Sequence, residues 1–213
     1  MNQLSLPTRF CKICFKEIKD NSFYAFSHKD NIICESCFST LKAKFINFKI
    51  GSIDALSIYD YNEAIKKLIY TFKGCYDYEL KDVFLTRYLS YLKLLYKGYI
   101  VVPVPSSEID NQKRGFNHVK EVFKNLGLPM VDVLKKVNKE KQSSKTSKDR
   151  LKVNKNIESC NIEQVKDKKV LIVDDIYTTG ATMFRSIELV KKGKPKVIKV
   201  LVLAKTIDLN KRK

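Results

Sequence analysis

Residues 170–182, Val-Leu-Ile-Val-Asp-Asp-Ile-Tyr-Thr-Thr-Gly-Ala-Thr, restrict the folding of this chain more than any other stretch. Val170 to Val173 read as a buried strand, which is expected to end at the adjacent carboxylates Asp174 and Asp175. Thr178, Thr179, Gly180, Ala181 and Thr182 follow as a loop, and a helical pattern runs from Met183 to Lys191. Amides at a helix start, backed by the positive end of its dipole, form an anion site. Gly180 lets backbone approach an anion without a Cβ between them. The three threonine hydroxyls add donors, and the two carboxylates can accept bonds from neighbouring sugar hydroxyls. A phosphate grip beside a diol grip suits a ribose 5-phosphate group.

The N-terminal end carries a second pattern. Cys11-x2-Cys14 and Cys34-x2-Cys37 are separated by nineteen residues. Two such knuckles present four thiolates to one tetrahedral ion, and zinc is the expected metal. An iron–sulfur centre and free thiols are the alternatives. With four cysteines no coordination position stays open for chemistry, so the ion would be structural. Few apolar residues surround it, and the metal would supply most of the module's folding energy, on the order of 10 kcal/mol. His28 is a spare ligand that four cysteines make unnecessary. Cys75 and Cys160 have no partner at ligand spacing. The expected division is a metal module over 1–48, its last part (38–48) helical, and a main domain over 49–213.

Between these ends the apolar pattern alternates between strand and helix. Residues 53–59 read as a strand. From Asn62, Ile65, Leu68, Ile69 and Phe72 recur at helical spacing, and Lys73-Gly74 closes that helix. A further helix is expected over about 78–95. Tyr99 to Pro105 reads as a buried strand entering a proline-bounded loop, which carries Ser106 and Ser107. This order fits an α/β doubly wound, mostly parallel sheet, where ligands collect beyond the carboxyl ends of strands.

Three motifs together carry a family resemblance: Val-Pro-Val-Pro at 102–105, Arg-Gly-Phe-Asn-His at 114–118, and the 170–182 run, all behind the four-cysteine module. The chain resembles the ComF family of late competence proteins and its GntX relatives, whose main domain has the type I phosphoribosyltransferase fold. His118 stands where the usual relative has glutamine. The resemblance implies a PRPP ligand: Asp174 and Asp175 on the ribose hydroxyls, residues 178–182 on the 5-phosphate, and Ser106 and Arg114 on the pyrophosphate. It also implies Mg²⁺ bound with PRPP, and a catalytic set of Asp174, Asp175 and Arg150. Arg150 lies in Lys135–Lys155, where Lys141-Gln142, Arg150 and Asn154 resemble the spacing of a loop that closes over PRPP. That segment holds nine basic residues against Glu140 and Asp149. A catalytic lid, a DNA-contacting loop and a solvated linker all fit it.

Function divides along the same lines. The resemblance implies natural transformation, with imported single-stranded DNA, a ComFA-type ATPase and the recombination mediator DprA as partners. An active phosphoribosyltransferase with an unknown acceptor is the alternative, and an adaptor with a vestigial loop is a third reading. The net charge of +18 suits polyanionic company, although an AT-rich genome also enriches Lys, Asn and Ile. Further basic runs lie at Lys191–Lys199 and Lys211–Lys213. No apolar run reaches bilayer length. Residues 1–10 lack a basic segment followed by an apolar one, so a cytoplasmic protein without a leader is expected.

Overall fold

A computed structural model of the chain describes residues 9–18, 32–137 and 157–206. Its centre is a five-stranded sheet in the order β1-β2-β7-β6-β3. The strands are β1 (Ile46–Ile50), β2 (Ile53–Asp60), β3 (Tyr99–Pro103), β6 (Lys169–Tyr177) and β7 (Val197–Lys205). β2, β7, β6 and β3 run parallel, and only the edge strand β1 is antiparallel to its neighbour. A short antiparallel pair, β4 (Leu134–Lys136) and β5 (Ile157–Ser159), stands apart. Of the segment Lys135–Lys155, residues 138–155, with Gln142, Arg150 and Asn154, lie outside the described residues, as does His28.

The central strands are apolar on both faces because both are covered. On one face lie α2 (Glu63–Lys73), α3 (Leu89–Leu95) and α5 (His118–Lys124), packed on Leu171, Val173, Leu201 and Leu203. On the other, α6 (Ala181–Lys192) packs on Val170, Ile172, Val200 and Val202. α2 forms where the periodicity placed it: Asn62 caps it by accepting from Ile65 N–H at 2.9 Å, and Ile65, Leu68, Ile69 and Phe72 are its buried face. Among the described residues no helix is long and apolar enough to cross a membrane.

Several elements differ from expectation. β6 does not stop at Val173: its ladder with β7 continues through Asp174↔Val202 to Tyr177↔Lys205, so both acids belong to the strand. The helix after it starts at Ala181, which puts Ala181 and Thr182 in its first turn. The helix expected over 78–95 is broken into 3-10 turns at Tyr78–Asp82 and Thr86–Tyr88 before α3. Val83, Phe84 and Leu85 are all buried in succession, which the single buried stripe of an α-helix cannot provide. Residues 38–48 are likewise not one helix. α1 (Glu35–Leu41) ends at Lys42 in the left-handed region, Phe45 repeats that conformation, and β1 then begins. The boundary expected at residue 48 therefore falls inside a strand of the main sheet.

The cysteine module is docked on the 3-10 segment. Cys11, Ile33 and Leu41 are buried in the same apolar cluster as α2 and Phe84. Lys12 Nζ meets Glu79 at 2.9 Å and Asp82 at 3.6 Å. Arg87 pairs with Glu35 at 3.0 Å while its guanidinium lies 3.9 Å from the Phe38 ring centroid. The same segment reaches α5, through Tyr78 donating to Glu121 at 2.6 Å and Asn125 donating to Asp82 at 3.0 Å.

Candidate functional site

β3 and β6 are parallel neighbours, so the loops that leave their carboxyl ends open side by side. After β3, Val104 N–H still pairs with Val173 O at 2.9 Å. Ser106 Oγ then hydrogen-bonds Asn111 Oδ1 at 2.7 Å, and Ser107 caps the helix α4 (Glu108–Arg114). Part of the expected loop is thus helical. Gly115, at φ 81, ends α4 in a left-handed turn that a side chain would strain. Asn117 next caps α5, accepting from Lys120 N–H at 3.1 Å, which makes His118 the first residue of that helix. Phe116 between them stacks on Phe72 of α2, centroids 5.2 Å apart.

This short turn brings Arg114 and His118 together. Arg114 Nη1 donates to His118 Nδ1 at 3.0 Å, and its Nε donates to Lys73 O at 2.9 Å. A guanidinium can only donate, so Nδ1 must accept and the ring proton belongs on Nε2. That N–H points at Asp175 Oδ2, 3.1 Å away, which also receives Lys73 Nζ at 2.6 Å. A polar chain therefore runs Ser106–Asn111–Arg114–His118–Asp175–Lys73, from the loop after β3 to the end of β6. Arg114, expected to face pyrophosphate, places its Nε and Nη1 in this chain. Lys73 and His118 were missed as site residues. Lys73 read only as a helix stop and His118 only as a replaced glutamine, and the contacts that join them to Asp175 span 102 and 57 residues.

The two acids differ electrically. Burial works against the charge of Asp175, but the His118 N–H and the Lys73 ammonium prevail and hold its carboxyl well below the usual range. Burial and the neighbouring Asp175 charge push Asp174 well above that range. Strand alternation puts the two on opposite faces of β6: Asp175 beside α2 and α5, Asp174 on the side of Val170 and Ile172. Beyond them, Thr178, Thr179 and Thr182 are exposed, and Gly180, at φ 78, is the N-cap of α6, with Thr179 Oγ1 accepting a long bond of 3.5 Å from Ala181 N–H at the helix start. A Cβ at Gly180 would collide with the Tyr177 hydroxyl. That bond is weak, and the first-turn amides can turn to an anion. Arg150 cannot be placed, because it lies outside the described residues.

The metal-ligating candidates gather elsewhere. The Sγ atoms of Cys11, Cys14, Cys34 and Cys37 lie within 4.8 Å of one another. The Cys14–Cys34 separation of 3.7 Å compares with roughly 3.8 Å between sulfurs of a tetrahedral zinc–thiolate site. Although burial opposes it, backbone N–H groups of Cys34, Cys14 and Ile13 lower the Cys11 thiol to about 7. Burial raises both Cys34 and Cys37; the surrounding thiols add to it at Cys37, while at Cys34 hydrogen bonds from Cys37 partly oppose it. A bound cation would favour the thiolate form of the cluster. The donor set fits a metal such as zinc. Among the described residues this is the only His, Cys, Asp or Glu cluster able to hold an ion, so no carboxylate cage stands ready for Mg²⁺.

Residues 112–213 match the phosphoribosyl transferase domain family. Competence protein ComFC of Streptococcus pneumoniae (strain ATCC BAA-255 / R6) is 33% identical over 149 residues, 70% of this chain and 67% of that protein. Competence protein ComFC of Bacillus subtilis (strain 168) is 33% identical over 141 residues, 65% of this chain and 58% of that protein. The match thus spans less than two thirds of the Bacillus protein. Among solved structures, a hypoxanthine phosphoribosyltransferase from Staphylococcus aureus aligns over 60% of this chain and 72% of that chain, at 13% identity and a TM-score of 0.39.

Proposed function

This chain belongs to the ComFC family, a type I phosphoribosyltransferase fold behind a four-cysteine module, and from that premise we propose that it binds PRPP and serves natural transformation. In this reading it works in the cytoplasm, handles incoming single-stranded DNA, holds zinc in the cysteine module, and meets a ComFA-type ATPase and DprA.

One observation carries the ligand reading. The open amide end of α6 and the polar chain from Ser106 to Asp175 converge on the carboxyl ends of two adjacent parallel strands. The 5-phosphate takes the Ala181 and Thr182 amides with the Thr178, Thr179 and Thr182 hydroxyls. The ribose diol is assigned to Asp174 and Asp175, close to the carboxyl end of β6. Ser106 and the amides after Pro105 face the pyrophosphate, and Arg114 acts on it through His118 and Asp175 rather than by contact. Mg²⁺ would arrive with the ligand and supply neutralisation of its pyrophosphate.

Turnover with an acceptor is a second reading, and the split pair favours it. Asp175, kept ionised, stands ready beside a sugar carbon that would gain positive charge as the C1–O bond stretches.

Calorimetric titration of PRPP with Mg²⁺ tests the site. Wild type should bind, and the variant carrying Asp174→Asn and Asp175→Asn should not, while its melting curve remains cooperative. Equal binding by both proteins would refute the assignment.

A further inference from the structure

On the α6 face of the sheet, next to the phosphate loop, lies a cleft of about 680 Å³ that none of the roles above uses. This size is within the ~300–1,000 Å³ typical of small-molecule sites. Its walls have unusual chemistry for a spot so close to a phosphate grip. Tyr177, whose hydroxyl touches the Gly180 turn, runs from the loop into the cleft and meets the Phe48 ring at 5.0 Å. Phe184, the fourth residue of α6, also lines the cleft and leaves 46% of its surface in solvent. Two cations border the rings. Lys205 Nζ lies 5.4 Å from the Phe48 centroid, and among the described residues no carboxylate pairs with it. Lys49 meets only the exposed Asp54, at 3.4 Å. Thr178 and Thr179 are shared by the cleft and the phosphate loop.

Aromatic faces, ammonium groups and hydroxyls in one recess are the elements that hold a nucleotide: rings for a base, cations for a phosphate. Because the cleft opens directly from the threonines of the loop, a phosphate bound there has room for a second substituent. PRPP carries only a terminal phosphate on that side and has nothing to place in the cleft. A phosphodiester does.

We infer that the loop and the cleft together accept single-stranded nucleic acid, with one backbone phosphate at Thr178–Thr182 and the adjoining nucleotide stacked between Phe48 and Phe184. The inference rests on the proposed phosphate role of the loop and assigns its neighbour. PRPP and the strand then compete for one phosphate position, so the two ligands attributed to this protein exclude each other there.

The test uses the full chain with a 3′-fluorescein oligo(dT) read by anisotropy, and Mg²⁺–PRPP read by calorimetry. Phe184→Ala and Lys205→Gln change exposed or partly exposed groups, and unchanged melting curves would document intact folds. Each should weaken oligo(dT) binding by roughly tenfold and leave PRPP affinity unaltered, and unlabelled PRPP should displace the oligonucleotide from wild type. Oligo(dT) affinity equal to wild type in both variants, with PRPP bound normally, would overturn the cleft while sparing the PRPP site. Oligonucleotide binding that PRPP fails to displace would overturn the shared phosphate position. Wild type that binds no PRPP would remove the underlying reading itself.

Discussion

His118 shows how much a single side chain can be asked to satisfy. With Nδ1 accepting from Arg114 and Nε2–H donating to Asp175, the ring presents an acceptor at one end and a donor at the other. A glutamine amide offers the same pair, which gives a physical reason why either residue can follow Arg-Gly-Phe-Asn. His118→Gln should therefore stay within about 1 kcal/mol of wild type in urea unfolding, whereas His118→Ala should lose about 1–3 kcal/mol by stranding both partners. The acids invite a pH experiment. Asp175 binds its proton less readily in the folded than in the unfolded chain. Its contribution is complete above the unfolded carboxylate pKa, about 3.9, and is lost as pH falls through the lower folded value. Asp174 has the opposite sign. Its raised folded pKa makes the protein gain stability as pH falls through that value towards the ordinary carboxylate range. In urea titrations across pH, Asp174→Asn should erase that gain and Asp175→Asn the acid-side loss; unchanged profiles in both would contradict the split pair. Asp174, Asp175 and the loop threonines were legible because their types and spacing are local. The engagement of Asp175 by Lys73 and His118 was not, since it exists only once α2 and α5 pack against β6.

Elements whose signals are self-contained were read well. α2 carries its own cap, stripe and basic end, and β3 and the Val170–Val173 part of β6 are continuous apolar runs, so each is visible in one window of sequence. The stretch from 78 to 95 was not, because its apolar content satisfies a helical count while its burial comes in a block at 83–85. Nor does any residue type announce the left-handed turns at Lys42 and Phe45 that separate α1 from β1. The cysteine module depends on both a local and a distant signal. Its ligand spacing was plain, but its seat on the 3-10 segment, with Cys11 fully buried, was not. Cys11→Ser should consequently do more than release metal. We expect a loss of about 3 kcal/mol, near 10 °C in melting temperature, with metal content read by mass spectrometry. A variant that keeps its full metal complement and melts like wild type would discard the four-cysteine assignment.

For the molecule as a whole, the net charge of +18 and the basic stretch at Lys135–Lys155 make ionic strength the informative variable. If three or more phosphates are neutralised, single-stranded DNA affinity should fall at least tenfold between about 50 and 200 mM salt. Replacing the lysines of that stretch by glutamine should flatten the slope, and affinity indifferent to salt would exclude a backbone-tracking role. The docking of the cysteine module has a different consequence. Lys12 of the first knuckle grips Glu79 and Asp82, and the same 3-10 segment holds α5 through Tyr78–Glu121 and Asn125–Asp82, with His118 at the head of that helix. Whatever factor separates zinc affinity in the PRPP-loaded and PRPP-free protein must separate PRPP affinity in the zinc-loaded and stripped protein, because the thermodynamic cycle closes. Under the proposed occupancy, a metal that never touches the sugar phosphate would act as its heterotropic effector to the extent that this factor departs from one, and chelator titrations with and without PRPP read its size directly.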